Sequence, residues 1–167
     1  MNDVILKLED TDERLYGKND INGIWVYYLD QICEKPFNGV VYGTCQSRLD
    51  YEAEIKNGYK NGIEVNYHAN GSVEQVSECK NNMLYGVSKE FDEKNSLVSV
   101  SVVFNNAYLK VVELDGQKQY EIKQYREELY DSLPVEIKKL LDFSAEELIT
   151  YKFKSNYGLF EQLIKWL

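Results

Sequence analysis

The chain has 167 residues, 44% hydrophobic and 28% charged, with a formal net charge of −9 at pH 7. That is enough apolar material to bury one domain core, without the run of roughly 18 apolar residues that a membrane span needs. A surplus of negative charge repels nucleic acid and anionic lipid and favours basic partners.

The first part, residues 1–37, is expected to contribute strands that join the main sheet. Its opening stretch, MNDVILKLEDTDERLYG, is acidic and lacks a long apolar run, which argues against a secretory signal and for a cytoplasmic protein. Asp10-x-Asp12 starts like a calcium loop, but Leu15 stands where that loop needs Gly and Ile21 where it needs Glu, so no metal is expected there. Asn22 to Leu29 reads as an early strand, and Pro36 breaks the chain after it.

From residue 38 to about residue 123 the sequence repeats. NGIEVNY at 61–67 restates NGIWVYY at 22–28. Asn57, Asn81 and Asn105 recur at a spacing of 24 residues, as do Gly62 and Gly86, Tyr67 and Phe91, Val73 and Leu97, and Val76 and Val100. A fixed period of this size means stacked supersecondary units. Within one unit, Ile63, Val65 and Tyr67 alternate with Glu64 and Asn66, the pattern of a half-buried strand. Asn70-Gly71 is expected to form a turn with positive φ at both central positions. SVEQVSECK is the second strand, and Asn81-Asn82 turns the chain again. Each unit is therefore a β-hairpin, and successive hairpins are expected to continue one antiparallel meander of roughly eight to ten strands. Val98, Val100, Val102 and Phe104 make an apolar strand that needs a cover to avoid aggregation. Residues 110–122, pivoting on Asp115-Gly116, read as one more hairpin.

After about residue 123 the period becomes helical. Tyr125, Leu129 and Leu133 share a face, Pro134 opens a short helix carrying Ile137, Leu140 and Leu141, and Ser144 to Glu147 is a capping box leading into Leu148, Ile149 and Phe153. Leu159, Phe160, Leu163, Ile164 and Leu167 are spaced as a last amphipathic helix. Residues 124–167 are expected to form a helical cap that backs the sheet. The fold class is thus mainly β with C-terminal α: stacked hairpins capped by two or three short helices.

Chemistry-bearing patterns are sparse. The cysteines Cys33, Cys45 and Cys79 are odd in number and form no CxxC pair, so neither disulfides nor a zinc site are expected. His68 is the only histidine, placed before a turn, and no nucleophile elbow or phosphate-binding glycine loop accompanies it. No catalytic, cofactor or metal residues are expected. Two residue classes stand out instead. Glu52, Glu54, Glu64, Glu74, Glu78 and Glu90 fall at the outward phase of the strands, where they read as a charged, solvated row. Tyrosine is the outstanding residue type with 14 copies, and Tyr51, Tyr59 and Tyr85 are candidates for a recognition surface, since Tyr gives wide contact area at low entropic cost.

The unit of N-G, a short strand with an aromatic near its end, a turn, a second strand and K-N-G resembles the MORN-repeat variant over roughly residues 38–110. KPFNGVVYG followed by repeats is similar to the opening of small bacterial immunity and antitoxin proteins of that repeat type. The resemblance implies an immunity or antitoxin protein that neutralises a cognate toxin. The toxin's surface is expected to be basic, as in nucleases, and to be gripped by the acidic row and the tyrosines, with no nucleic-acid or membrane partner. The alternative expectation is a non-catalytic MORN-repeat scaffold or membrane-associated interaction protein. The oligomeric state is not written in the pattern.

Overall fold

The computed structural model describes residues 5–116 and 118–158. The expected mainly-β fold with short C-terminal helices is the one observed. Nine strands form one sheet: β1 (Lys7–Glu9), β4 (Gly39–Cys45), β5 (Arg48–Lys56), β6 (Tyr59–Tyr67), β7 (Val73–Lys80), β8 (Met83–Phe91), β9 (Leu97–Phe104), β10 (Ala107–Asp115) and β11 (Lys118–Lys123), in that spatial order. From β4 onward every pairing is antiparallel, whereas β1 pairs parallel with β4, so the first edge departs from the meander. The early strand does not join this sheet. β3 (Trp25–Tyr28) pairs with β2 (Tyr16–Asn19) as a separate two-stranded ribbon.

The 24-residue period is visible as geometry. Asn57-Gly58, Asn81-Asn82 and Asn105-Asn106 all have positive φ at both positions, the backbone of a tight hairpin turn that suits the right-handed twist of the strands. Each turn is also tied to the preceding hairpin. Asn82 N donates to Lys60 O at 3.0 Å and Asn106 N to Leu84 O at 3.2 Å, while Asn82 Oδ1 accepts from Lys60 N at 2.5 Å and Asn106 Oδ1 from Leu84 N at 2.7 Å. The turn at Asn70-Gly71 differs from expectation. Gly71 alone has positive φ; His68 O accepts from Gly71 N at 2.9 Å, and Asn70 Oδ1 accepts from Ser72 N at 2.9 Å. The longer loop lets Asn70 act through its side chain instead of its backbone.

Strand register sorts the side chains onto two faces. On one, Glu52, Val65, Val76, Lys89, Val100 and Val112 lie side by side across β5 to β10. The helices cover this face. A 3-10 turn (Glu127–Ser132) leads to α1 (Val135–Leu141) and α2 (Ala145–Ile149), and Leu133, Ile137, Leu141, Leu148 and Phe153 pack on Ile63, Val65, Val87, Val100 and Val102. Burial of each such side chain stabilises by about 1.5–3 kcal/mol. The apolar strand β9 thus receives the cover its sequence demands. The capping box of α2 is formed, with Glu147 N donating to Ser144 Oγ at 3.2 Å and Ser144 N to the Glu147 carboxylate at 2.8 Å. α2 ends at Ile149, and residues 151–158 run on without helix across the same face. The helix expected from Leu159 onward lies outside the described residues.

Two lysines of the sheet hold the helix ends. Lys110 Nζ donates to Leu141 O at 3.1 Å and Phe143 O at 2.6 Å. Lys89 Nζ donates to Ile149 O at 2.6 Å and Tyr151 O at 2.9 Å. Both sit where a helix leaves its last carbonyls without partners and its dipole favours a cation.

The second core lies on the opposite face, at the β4–β5 end. Leu8, Phe37, Val41, Ala53 and Ile55 are buried there with Leu15, Tyr27, Leu29 and Tyr51 against them. The apolar side of the sheet therefore changes between β5 and β6. In β5 it is Ala53 and Ile55, on the side of the amino-terminal ribbon; in β6 it is Ile63 and Val65, on the side of the helices.

Candidate interaction site

That change of side overturns the expected row of outward acids. Glu52 and Glu54 occupy the polar phase of β5, yet this phase points to the helix-covered face, and both are buried, at 5% and 1% exposure. Glu52 pairs with Lys7 and accepts from Tyr67 Oη at 2.6 Å. Glu54 accepts four hydrogen bonds: Ile63 N at 2.9 Å and Asn156 N at 3.0 Å on Oε2, and Tyr157 N at 2.9 Å and the Ser155 hydroxyl on Oε1. It is the anchor of the chain segment that follows α2. Glu78 also faces the helices, opposite Ile63 and two residues from Val76. Its carboxylate accepts from Val87 N at 2.8 Å and Tyr151 Oη at 2.7 Å. Burial pushes its pKa upward, against the pull of these hydrogen bonds and of Lys154.

Glu54 and Glu78 are one device written twice. Each lies 24 residues from the other, each carboxylate sits over a glycine with positive φ, Gly62 at 130° and Gly86 at 118°, and each accepts from the next backbone N–H. A Cβ on either glycine would collide with the carboxylate above it. The matched spacings of Glu54 with Glu78 and Gly62 with Gly86 were the sequence signal for this pairing.

The remaining acids and tyrosines scatter. Glu64 lies on the open face, paired with Lys60 and accepting from Cys79 Sγ at 3.3 Å; burial, then the Glu64 charge, pushes the Cys79 thiol up. Glu90 is on the same face and accepts from Ser99 Oγ at 2.9 Å. Glu74 is exposed. Tyr51 donates to Asp10 at 2.9 Å beside the second core, and burial raises its pKa. Tyr59 donates to Asp20 at 3.1 Å, tying the ribbon to the sheet. Tyr85 belongs to the helix face: it donates to Glu136 at 2.6 Å, and burial, helped by that carboxylate, pushes it up to about 12. The structure thus assigns Glu52, Glu54, Glu78, Tyr51, Tyr59 and Tyr85 to holding the fold together, sets Glu74 beside Glu90 in a cavity shared with Asn66 and Gln75, and brings Glu64 and Glu90 to one surface.

That surface is the face beyond the ribbon that the described helices leave open; on it Ser77, Ser88, Ser99, Ser101 and Val111 are buried beneath their neighbours, Glu64 and Glu90 are half-buried, and Glu113, Tyr120 and Ile122 are exposed. Two rows cross it strand by strand. Asn66, Gln75, Glu90, Ser99, Glu113 and Tyr120 form one, and Glu64, Ser77, Ser88, Ser101, Val111 and Ile122 the other. The described helices all pack on the opposite face. The rows are knitted by side-chain bonds: Asn66 Nδ2 to Gln75 at 3.2 Å, Gln75 Nε2 to Ser88 at 3.1 Å, and Ser77 to Ser88 at 2.7 Å. Such a network presets the surface, so little side-chain entropy is lost on contact. Sequence reasoning passed over Glu113, Asn66 and Gln75 because the polar phase of a strand carries no mark of which residues stay uncovered.

His68 and Cys45 line a common small cavity of about 160 Å³ with Arg48 and Tyr67. The His68 Nε2–H is committed to Phe91 O at 2.8 Å, and among the described residues no hydrogen bond joins it to a thiol. No group of three or more His, Cys, Asp and Glu side chains among the described residues is placed to hold a metal ion, and no described helix is long and apolar enough to cross a membrane. Compared with known proteins, the chain matches no family model and no curated protein.

Proposed function

We propose that this chain is a non-catalytic binding protein of the immunity or antitoxin kind, acting in the cytoplasm on a toxin with a basic surface. The observation that carries the proposal is the open sheet face, a rigid polar lattice with Glu64, Glu90 and Glu113 on it. The net charge of −9 adds a long-range field of the same sign. A stiff, hydrogen-bonded surface suits recognition of a folded partner, because it binds without first having to order itself. Carboxylates on it would meet Lys and Arg of the partner, which sets orientation and association rate more than final affinity. The hairpin period agrees with the MORN-repeat resemblance, which supplies the biological class. Contact is expected through the open face, with Glu52, Glu54 and Glu78 acting only as supports behind it.

Co-expression tests this reading. The product of the neighbouring reading frame is expected to be toxic alone, to copurify with this chain and to be neutralised by it. A neighbour that is harmless, or that shows no complex on size-exclusion chromatography, removes the basis of the proposal.

A further inference from the structure

The helix face contains a cavity of about 470 Å³ between β6–β8, α1 and the segment after α2. This is within the usual range for small-ligand sites. Its floor is Glu78, one wall is apolar (Ile137, Leu140 and Phe143), and Lys139 and Lys154 stand at its rim. The two copies of the Glu-over-Gly device differ here. Both oxygens of Glu54 accept two hydrogen bonds, which seals it under Ser155, Asn156 and Tyr157. Each oxygen of Glu78 accepts one among the described residues, from Val87 N and Tyr151 Oη. A carboxylate oxygen has room for two, so Glu78 keeps acceptor capacity that faces the cavity. Glu136, the other carboxylate of the lining, is already engaged by Lys80 at 3.6 Å and Tyr85 at 2.6 Å. Lys139 and Lys154 are in no ion pair with a described carboxylate.

We infer that this cavity binds a small zwitterion with an apolar side group, of the class of free α-amino acids. Its ammonium donates to the open positions of Glu78, its carboxylate is held by Lys154 and Lys139, and its side group rests on Ile137, Leu140 and Phe143. An acid alone would leave the open positions of Glu78 without a donor, and an amine alone would leave Lys139 and Lys154 without a counter-charge. An α-amino acid carries both charges on one small frame, and Glu78 and Lys154 both line this one cavity. The site is on the opposite side of the sheet from the proposed toxin-binding face and is independent of it.

The test is an amide NMR titration of the full chain with L-phenylalanine, phenethylamine and hydrocinnamate, with no toxin present. L-phenylalanine is expected to shift Gly86, Val87 and the residues of α1 saturably in the millimolar range, and each single-charge analogue to bind about tenfold more weakly, as loss of a charged hydrogen bond requires. Glu78→Gln, which keeps the acceptor for Val87 N, is expected to weaken L-phenylalanine by a similar factor. Lys154→Gln, at an exposed position that does not endanger folding, is expected to weaken L-phenylalanine and leave phenethylamine unchanged. Absence of saturable shifts at the cavity, equal binding by phenethylamine and L-phenylalanine, or unchanged affinity in Lys154→Gln would each overturn the inference.

Discussion

Six glutamates share one side-chain chemistry and have opposite consequences, set by what covers them. Glu54 is the extreme case, because removing it leaves three backbone N–H donors, one buried and two partly buried, without this acceptor. Each buried donor left without a partner costs about 1–3 kcal/mol. Glu54→Ala is therefore expected to lose at least about 3 kcal/mol in urea denaturation, whereas Glu74→Ala, at an exposed site, should stay within about 0.5 kcal/mol. Equal losses at the two positions would refute this division of roles. Glu78 makes a second, pH-dependent case. Its folded pKa is raised by burial above the ordinary 4.5, so the folded state holds its proton more tightly than the unfolded state does. The stability this contributes is complete below 4.5 and is lost as pH climbs through the raised value. Glu78→Gln has no such proton to lose. Relative to the wild type, it is expected to gain stability between pH 4 and pH 7, read from denaturation midpoints across that interval; a constant difference would mean that Glu78 does not titrate there.

The hairpins were the most legible part of the chain, because their signals are local. The Asn-Gly and Asn-Asn turns need residues that tolerate positive φ, and such residues announce themselves. Asn82 carries two contributions that substitution separates. Asn82→Gly keeps the backbone freedom at φ 65° but loses the Oδ1 bond to Lys60 N, while Asn82→Ala loses both. The alanine variant is expected to be less stable than the glycine variant by about 1 kcal/mol, the cost of forcing a Cβ into that conformation. Thermal unfolding of the pair measures the gap, and no gap would mean the turn relaxes to another type. What the sequence hid is equally physical. Alternation tells which residues of a strand share a side, but not which side receives the cover. β5 turns its Ala53 and Ile55 to the ribbon while β6 turns Ile63 and Val65 to the helices, so glutamates that look outward in β5 end up under the carboxyl-terminal segment. Glu78 was readable, since it lies two positions after inward-facing Val76 in the same strand. Lys89 and Lys110 were not, because the helix ends they cap are brought to them only by tertiary packing.

Taken together, one sheet face is covered by the helices, and the other, beyond the ribbon, carries none of the described helices. The helices, the segment after α2 and three of the six glutamates close the first. The second keeps Glu90 and Glu113 in a single cross-strand row with Ser99 between them, backed by a chain of net charge −9. If this face meets a basic toxin, charge should act mainly on how fast the partners find each other, and salt should erase the advantage by screening attraction beyond a Debye length of roughly 8–10 Å. The double reversal Glu90→Lys with Glu113→Lys gives up the Ser99 Oγ bond to Glu90 but no apolar core contact, so its circular dichroism should match the wild type and its melting should fall only slightly. Its association rate with the toxin, measured by stopped flow at low ionic strength, is expected to fall by about tenfold or more, and its salt dependence to flatten. The dissociation rate should change much less. The same reversal at Glu54 must instead unfold the protein, since it buries a cation among four donors. If the Glu90 and Glu113 reversal leaves the low-salt association rate untouched, the open face is not where the toxin lands.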